Sequence, residues 1–382
     1  MWRPLTWGFR VRHLLVFCAL AALAACSPRG AVTVDPAAAK VGAVEEIFVG
    51  TTRKIDPETG RFGRGRSEEE RFARFAISVP PERKAGSIEF PPKRGKPDPR
   101  KHFLTTEAEI HANAAEFGAD LRQSLRALPR GKRDAVVYVH GFNNTFAEGL
   151  YRIAQLSHDL DMPGVTLHYS WPSAGNPLGY VADRDSSMFG RDGLERLLQE
   201  VSSAGAERIV IVAHSMGSAL TMETLRQIAI RGDTRLKAKI DGVILISPDV
   251  DVDLFRMQAK AYGPLPQPFL IFGSDRDTLL NLSATLTGQP ERLGNLSDIS
   301  RVADLKVTFV DTKAFNEGTG HFNLGDSPAL LALMGRIGDV NAAFGADQRG
   351  RVGLLPGVVL TVQNATQIVL APVTVVAEEL NR

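Results

Sequence analysis

The first place in this 382-residue chain where chemistry can be read is a serine between a β-branched run and a helical one. Ile209-Val-Ile-Val212 leads into Ala213-His-Ser-Met-Gly217, and Ser218-Ala-Leu-Thr-Met-Glu-Thr-Leu-Arg-Gln-Ile228 follows at helical spacing. Strand, sharp turn and helix in that order would present Ser215 at the tip of a strand. So tight a turn needs small residues two before and two after the serine. Ala213 and Gly217 hold those places; glycine at both is the commoner pattern, but an alanine methyl is small enough to serve. A serine hydroxyl is a weak nucleophile at neutral pH, so it needs a base to take its proton and a group to orient that base. Taken alone, the stretch reads equally as a buried strand followed by a helix that contains a serine.

Two later loops supply the missing types. Asp277 lies in Gly273-Ser-Asp-Arg-Asp-Thr278, after the apolar run from Pro268 to Phe272. His321 lies in Gly318-Thr-Gly-His-Phe-Asn323, after the run from Leu305 to Val310. Ligands of open α/β sheets gather beyond the carboxyl ends of the strands, so these loops and that of Ser215 can converge. Asp277 is the first choice of acid and His321 of base. Asp275 and Asp249 remain alternative acids, and Asp277 alone also reads as the N-cap of a helix starting at Thr278.

An oxyanion is held by backbone amides. Met216, directly after the serine, is one expected donor. Phe142, in His140-Gly-Phe-Asn143 where another strand ends, is the other. His140 reads as a structural hydrogen-bonder rather than the base, because it precedes Ser215. Asp249, Asp251 and Asp253 alternate, but a calcium site needs more oxygen ligands in a tighter loop. No His/Cys zinc spacing is present, so neither metal nor cofactor is expected.

The elements that must position these groups alternate in type. Strands are predicted at Glu46–Thr52, Phe72–Val79 and, briefly, Ser87–Phe90. The charged, Gly-rich stretch from Arg53 to Arg71 reads as a solvated loop, since its glycines do not fit a phosphate-loop spacing. A helix is predicted over Glu107–Leu128, then strand Ala135–Val139, helix Phe146–Leu160, strand Val165–Trp171 and helix Arg184–Ala204. Beyond the Ser215 strand and helix come strand Gly242–Ser247, helix Asp249–Ala261, strands Pro268–Gly273 and Leu305–Val310, and helix Pro328–Phe344. This alternation predicts an α/β fold with a mainly parallel sheet, helices on both faces and an N-terminal β extension. One domain over residues 46–345 is expected. In the tail, 346–382, Val358–Val362 and Gln367–Leu370 flank Asn364-Ala365, which suits a hairpin or a short helix. Polar residues interrupt any run there that could span a membrane.

Composition fits a globular protein, with 44% hydrophobic and 23% charged residues. The N-terminus has a different character. Arg3, Arg10 and Arg12 precede an apolar run from Leu14 to Ala25, which is short for a membrane span and suits a signal peptide over residues 1–25. It ends in Leu23-Ala-Ala-Cys26, which resembles the lipobox of bacterial lipoproteins, in which the cysteine carries the lipid. The competing reading is a plain secretory signal. Residues 26–45 are then a tether. Of the two cysteines, Cys18 would be removed with the signal, which leaves no internal disulfide. Ser27 after Cys26, where aspartate would favour the inner membrane, points to the outer membrane facing the periplasm. Without the three leader arginines the formal charge falls from +2 to −1, which argues against nucleic acid as a partner. The membrane would be engaged through the lipid anchor rather than a basic patch.

Together these stretches resemble the α/β-hydrolase superfamily, and more closely a bacterial family of α/β-hydrolases of unknown function, an esterase/lipase-like group. The likeness rests on Phe48-Val-Gly-Thr-Thr-Arg53, Ser78-Val-Pro-Pro81, His140-Gly-Phe-Asn-Asn-Thr-Phe146, Tyr169-Ser-Trp-Pro-Ser-Ala-Gly175, Tyr180 with Asp183-Arg184, Ala213-His-Ser-Met-Gly217, Ser247-Pro-Asp-Val-Asp251 and Gly320-His321. It covers roughly residues 46 to 345. It implies the fold and a triad in the chain order Ser215, Asp277, His321, but no substrate. A small acyl or lipid-like substrate, cleaved at a carboxylic ester, is the leading expectation. An amidase or thioesterase on the same triad, or a catalytically idle interaction module, are the alternatives. Trp171, Tyr180, Met188 and Phe189 would either wall the acyl pocket or pack the core.

Overall fold

The computed structural model describes residues 30–92, 94–289, 291–312, 357–362 and 365–370. Cys26, His321 and the helix expected at Pro328–Phe344 lie outside the described residues. The strands are β1 (Ala43–Ile55), β2 (Phe62–Val79), β3 (Leu104–Ile110), β4 (Asp134–Val139), β5 (Val165–Ser170), β6 (Arg208–His214), β7 (Ile240–Ile246), β8 (Phe269–Gly273), β9 (Val307–Asp311), β10 (Gly357–Val362) and β11 (Ala365–Leu370). The helices are α1 (Ala114–Ala127), α2 (Phe146–Leu160), α3 (Tyr180–Phe189), α4 (Arg191–Ala204), α5 (Met216–Arg231), α6 (Thr234–Lys239), α7 (Val252–Tyr262) and α8 (Thr278–Thr287).

All the strands join one sheet in the order β10-β11-β9-β8-β7-β6-β4-β5-β1-β2-β3. Pairing is parallel from β11 through to β1, and antiparallel only at the two ends. The expected mainly parallel α/β fold is therefore observed. Strands β4 and β5 are buried at every position, and β4 accordingly reads as a continuous apolar run after Asp134. Alternate residues serve opposite faces. Val137 and Ile211 pack under α1, α4, α5 and α7, whereas Tyr138 and Val212 pack under α2.

Four expectations change. The loop expected at Arg53–Arg71 is mostly hairpin: Asp56 Oδ1 accepts from Glu58 and Thr59 amides at the turn, and β2 starts at Phe62, whose ring packs on Phe146 at 4.9 Å. The third strand is not Ser87–Phe90 but β3, which takes the start of the helix expected from Glu107. Here Arg74 bonds Glu107 and Glu109 across the strands, and Asn113 caps α1 only afterwards. Sheet pairing thus overrides helical spacing. The helix expected at Arg184–Ala204 is two, parted at Gly190, whose carbonyl accepts from the Tyr169 hydroxyl at 2.5 Å. The tether is shorter than 26–45, because the Thr105 amide donates to Thr33 O, Thr105 O accepts from the Asp35 amide, and Ala38 is buried. In the tail, β10 and β11 form the hairpin option, with β11 laid parallel to β9.

Candidate active site

Ser215 sits where β6 turns into α5, with φ +50° and ψ −122°. A non-glycine residue in that region costs on the order of 1–3 kcal/mol, and persists only where its surroundings impose it. They do so here. The Ser215 amide donates to Ile246 O at 2.9 Å, and its carbonyl accepts from Asp249 and Ser218 amides at 3.2 and 2.9 Å. The close approach extends to the loop after β4. A Cβ at Gly217 would lie 2.4 Å from His140 O, and one at Gly141 would lie 2.9 Å from the Ser215 Cβ. Both glycines are demanded by contact rather than by a special φ. Ala213 is fully buried and is accommodated.

The loop after β4 carries Phe142, one expected oxyanion donor. Met216 is the first residue of α5, where backbone amides have no intrahelical partner. Among the described residues neither amide donates to another protein group. The loop is clamped from behind by Arg53, which is 1% exposed. Its Nε donates to Ser170 Oγ (2.8 Å), Nη1 to Ser173 O (2.9 Å) and Gly63 O (3.1 Å), and Nη2 to Asn144 O (3.0 Å). Burial pushes the guanidinium down to about 9, so it is charged at neutral pH. Asp183 completes the clamp: it accepts from the Asn143 amide (3.1 Å), Ser173 Oγ (2.6 Å) and the Ala174 amide (2.7 Å).

His140 is built into the same support. Its ring stacks on Trp171 at 4.7 Å, with Nε2 3.0 Å from Trp171 O and Nδ1 2.9 Å from Gly141 O. Burial holds it well below the usual histidine range, and the neighbouring Arg53 adds to this. A buried neutral imidazole can donate to one of these two carbonyls, which fits the structural role expected of His140. Trp171 donates to His140 O at 2.7 Å and lies behind the loop in the core, not on the cavity wall. That corrects its candidacy as a pocket residue.

A cavity of about 680 Å³ opens over Ser215, with Phe142, Tyr180, Asp249 and Leu280 among its walls. Tyr180 thus stands where expected, its ring edge-on to Phe142 at 5.5 Å. The Tyr180 hydroxyl donates to Asp249 Oδ2 at 2.8 Å, and burial followed by that carboxylate pushes its pKa up to about 12. Ser283 Oγ donates to Asp249 Oδ1 at 2.6 Å, and Arg292 Nε stands 3.3 Å from the same oxygen. Asp277 is fully buried and caps α8, its Oδ1 accepting from Leu279 and Leu280 amides at 3.1 and 3.0 Å. Asp275 instead borders a separate small cleft beside Asp311. Asp251 caps α7, and Asp253 faces Arg301 at 3.1 Å.

Sequence reasoning placed Ser215 and Phe142 together, and both line one cavity with Tyr180, whereas Met216 and Asp277 do not line it. It missed the roles of Arg53, Asp183, Ser283 and Arg292. The usable signals were an arginine at the end of a buried strand and an aspartate in the first turn of a helix. Away from the cavity, ligand atoms of Glu109, His111 and Asp120 come within 4.8 Å of one another. Arg74 already supplies the positive charge there, donating to Glu109 at 2.9 Å and lying 3.1 Å from Asp120.

The chain has relatives. The family described as "Alpha/beta hydrolase of unknown function (DUF900)" matches residues 113–336, more than half of the chain, and the chain belongs to that family. It is similar to the uncharacterized protein YnbC of Escherichia coli K12, with 28% identity over 177 residues, 45% of this chain and 26% of that protein. The chain thus spans about a quarter of the length of that curated relative. Among solved structures it is similar to a Pyrobaculum calidifontis esterase (15% identity, TM-score 0.36, covering 90% of this chain and 96% of that one). It is also similar to an alpha/beta hydrolase enzyme from the metagenome of Lake Arreo, Spain (15% identity, TM-score 0.38, covering 87% and 97%).

Proposed function

We propose that the chain is a serine hydrolase that cleaves a carboxylic ester or a related acyl bond at Ser215. The observation that carries this reading is Ser215 itself, held at φ +50° on the wall of a cavity of about 680 Å³ with the 140–144 loop pressed against it. Ser215 Oγ attacks the carbonyl carbon while His321 takes its proton, and Asp277 orients the imidazole and stabilises its charge. The amides of Phe142 and Met216 hold the oxyanion. Collapse of the intermediate expels the alcohol, protonated by His321, and water then releases the acid from the acyl-enzyme.

The test is labelling by a fluorophosphonate probe together with turnover of a short-chain ester. Ser215→Ala should abolish labelling and cut kcat on the order of 10⁴-fold or more. Labelling that persists in the variant would identify another nucleophile. Amide and thioester substrates belong in the same assay, since the same groups would serve them.

The Leu23-Ala-Ala-Cys26 boundary supports a further assignment: a lipid anchor on Cys26 and an address at the cell envelope, at the outer membrane facing the periplasm. No helix among the described residues is long and apolar enough to cross a membrane. Cys26→Ala should move the protein to the soluble fraction. Retention on membranes through a high-salt wash would refute the anchor.

A further inference from the structure

Helix α8 carries Leu279, Leu282 and Leu286 on one face, at the i, i+3, i+7 spacing of a helix stripe. Such a stripe normally faces a core. Here the three leucines are 46, 54 and 63% exposed, and all three line the Ser215 cavity. Facing them, Pro177 lines the same cavity, and the residues after it, Leu178 and Val181, are 92 and 74% exposed. The two sides are tied together at the base by the Asp249 carboxylate, which accepts from the Tyr180 hydroxyl at 2.8 Å and from Ser283 Oγ of α8 at 2.6 Å. Scattered exposed leucines are ordinary, but a contiguous row opening onto a cavity marks a surface that something apolar covers. The side of the cavity at the start of α2 differs: there Asn144, Glu148 and Arg152 line it.

We infer that the stripe on α8 is a rail for a linear apolar chain of the substrate, and that Leu279, Leu282 and Leu286 set chain-length specificity. The inference rests on the Ser215 hydrolase reading for its chemistry. The occupant follows from continuity, because all three leucines line the same cavity as Ser215. From Leu279 to Leu286 the helix axis advances about 10 Å, which suits a medium-length chain rather than an acetyl group. The polar part of the ester then lies toward α2.

The experiment compares kcat/KM over an acyl series (p-nitrophenyl acetate, butyrate, octanoate) and an alcohol series (ethyl, butyl and octyl acetate). One of the two series should climb on the order of 10²-fold from shortest to longest, because each methylene laid on the rail leaves water. The series that climbs tells whether the chain belongs to the acid or to the alcohol. Leu282→Gln with Leu286→Gln should lose about 10-fold or more of that gain, while leaving the shortest ester within about two-fold. Both positions are solvent-exposed, so the variant should melt with the parent. Leu254→Gln on α7, at a residue 48% exposed that does not line the cavity, is the control and should change nothing. A flat profile in both series, or a double variant as selective as the parent, overturns the rail. Binding of octyl acetate to Ser215→Ala protein, read by calorimetry, separates the two readings. Binding that the leucine substitutions remove, without turnover in the parent, keeps the rail and sinks the hydrolase; turnover without chain preference does the reverse.

Discussion

Two buried arginines flank Ser215, and they do different work. The serine leaves β6, whose neighbours in the sheet are β4 on one side and β7 on the other. Arg53 serves the β4 side, where it donates to the carbonyls of Gly63, Ser173 and Asn144 and to the hydroxyl of Ser170. Arg292 serves the β7 side, where it meets the side chain of Asp249 and, through Nη2, the Thr287 hydroxyl near the end of α8. The first arginine grips mainly backbone, the second mainly side chains, with one long contact from Arg292 Nη2 to Ser283 O at 3.5 Å. Backbone is what an oxyanion site is made of, and its amides must stand within a few tenths of an ångström of one place. On the rail inference the β7 side would meet the variable part of a substrate, and its outer surface is a row of exposed leucines. One wall is built for position, the other for fit.

The sharpest way to break this comparison is at two carboxylates of the second side, Asp249 on the cavity wall and Asp277 buried at the cap of α8. If Asp277 orients His321, then Asp277→Asn keeps the shape but removes the charge and invites the wrong tautomer. A loss in kcat of roughly 10³–10⁴-fold follows. Asp249 already accepts from Tyr180 and Ser283 beside Arg292. Asp249→Asn should therefore cost less than about 10-fold in kcat, with its effect showing in stability and in KM. Steady-state kinetics and melting temperatures of the two variants decide it. The large kinetic loss falling on Asp249→Asn, with Asp277→Asn near normal, would move the acid to the strand beside the elbow.

How far this division could be read in advance depends on the range of the interactions. The elbow was legible because everything that makes it is local: a β-branched run, Ala213, Ser215, Gly217 and a helical stretch within twenty residues. Helix α2 was legible to the residue, Phe146 to Leu160, because Thr145 and Glu148 form a capping box at its start. The parallel sheet followed from alternation. What stayed hidden was long-range. Arg53 read as the first residue of a solvated loop, because its partners lie 87 to 120 residues away along the chain, apart from Gly63. Trp171 read as either pocket wall or core because nothing in its neighbourhood discloses that its indole is spent on the His140 carbonyl. The leucines of α8 would pass for an ordinary amphipathic face, and only their exposure says otherwise. His321 lies outside the described residues, so its part in the site still rests on chain order.

The arginines themselves give the finest test. Arg53→Met would leave a ring of carbonyls and the nearby Asp183 without their cation. Losing one partner of a buried charged network costs about 3–5 kcal/mol. The 140–144 loop would also lose its fixed position, and a displacement of about 1 Å at a site of this kind is worth on the order of 10²-fold in rate. Arg53→Lys keeps the charge without the fork, so it should recover part of the stability and little of the rate. Arg292→Met should behave otherwise. Asp249 keeps the Tyr180 and Ser283 hydroxyls, and the Nε contact it loses is long at 3.3 Å. Stability should fall by about 1–3 kcal/mol, and kcat on a short ester by about 10-fold or less, with the larger change in KM for chain-bearing esters as the end of α8 loosens. Urea unfolding gives the first quantity and the ester series the others. If Arg292→Met depressed kcat on the shortest ester as deeply as Arg53→Met, both walls would be positioning devices, and the contrast between grip on backbone and grip on side chain would have no catalytic meaning.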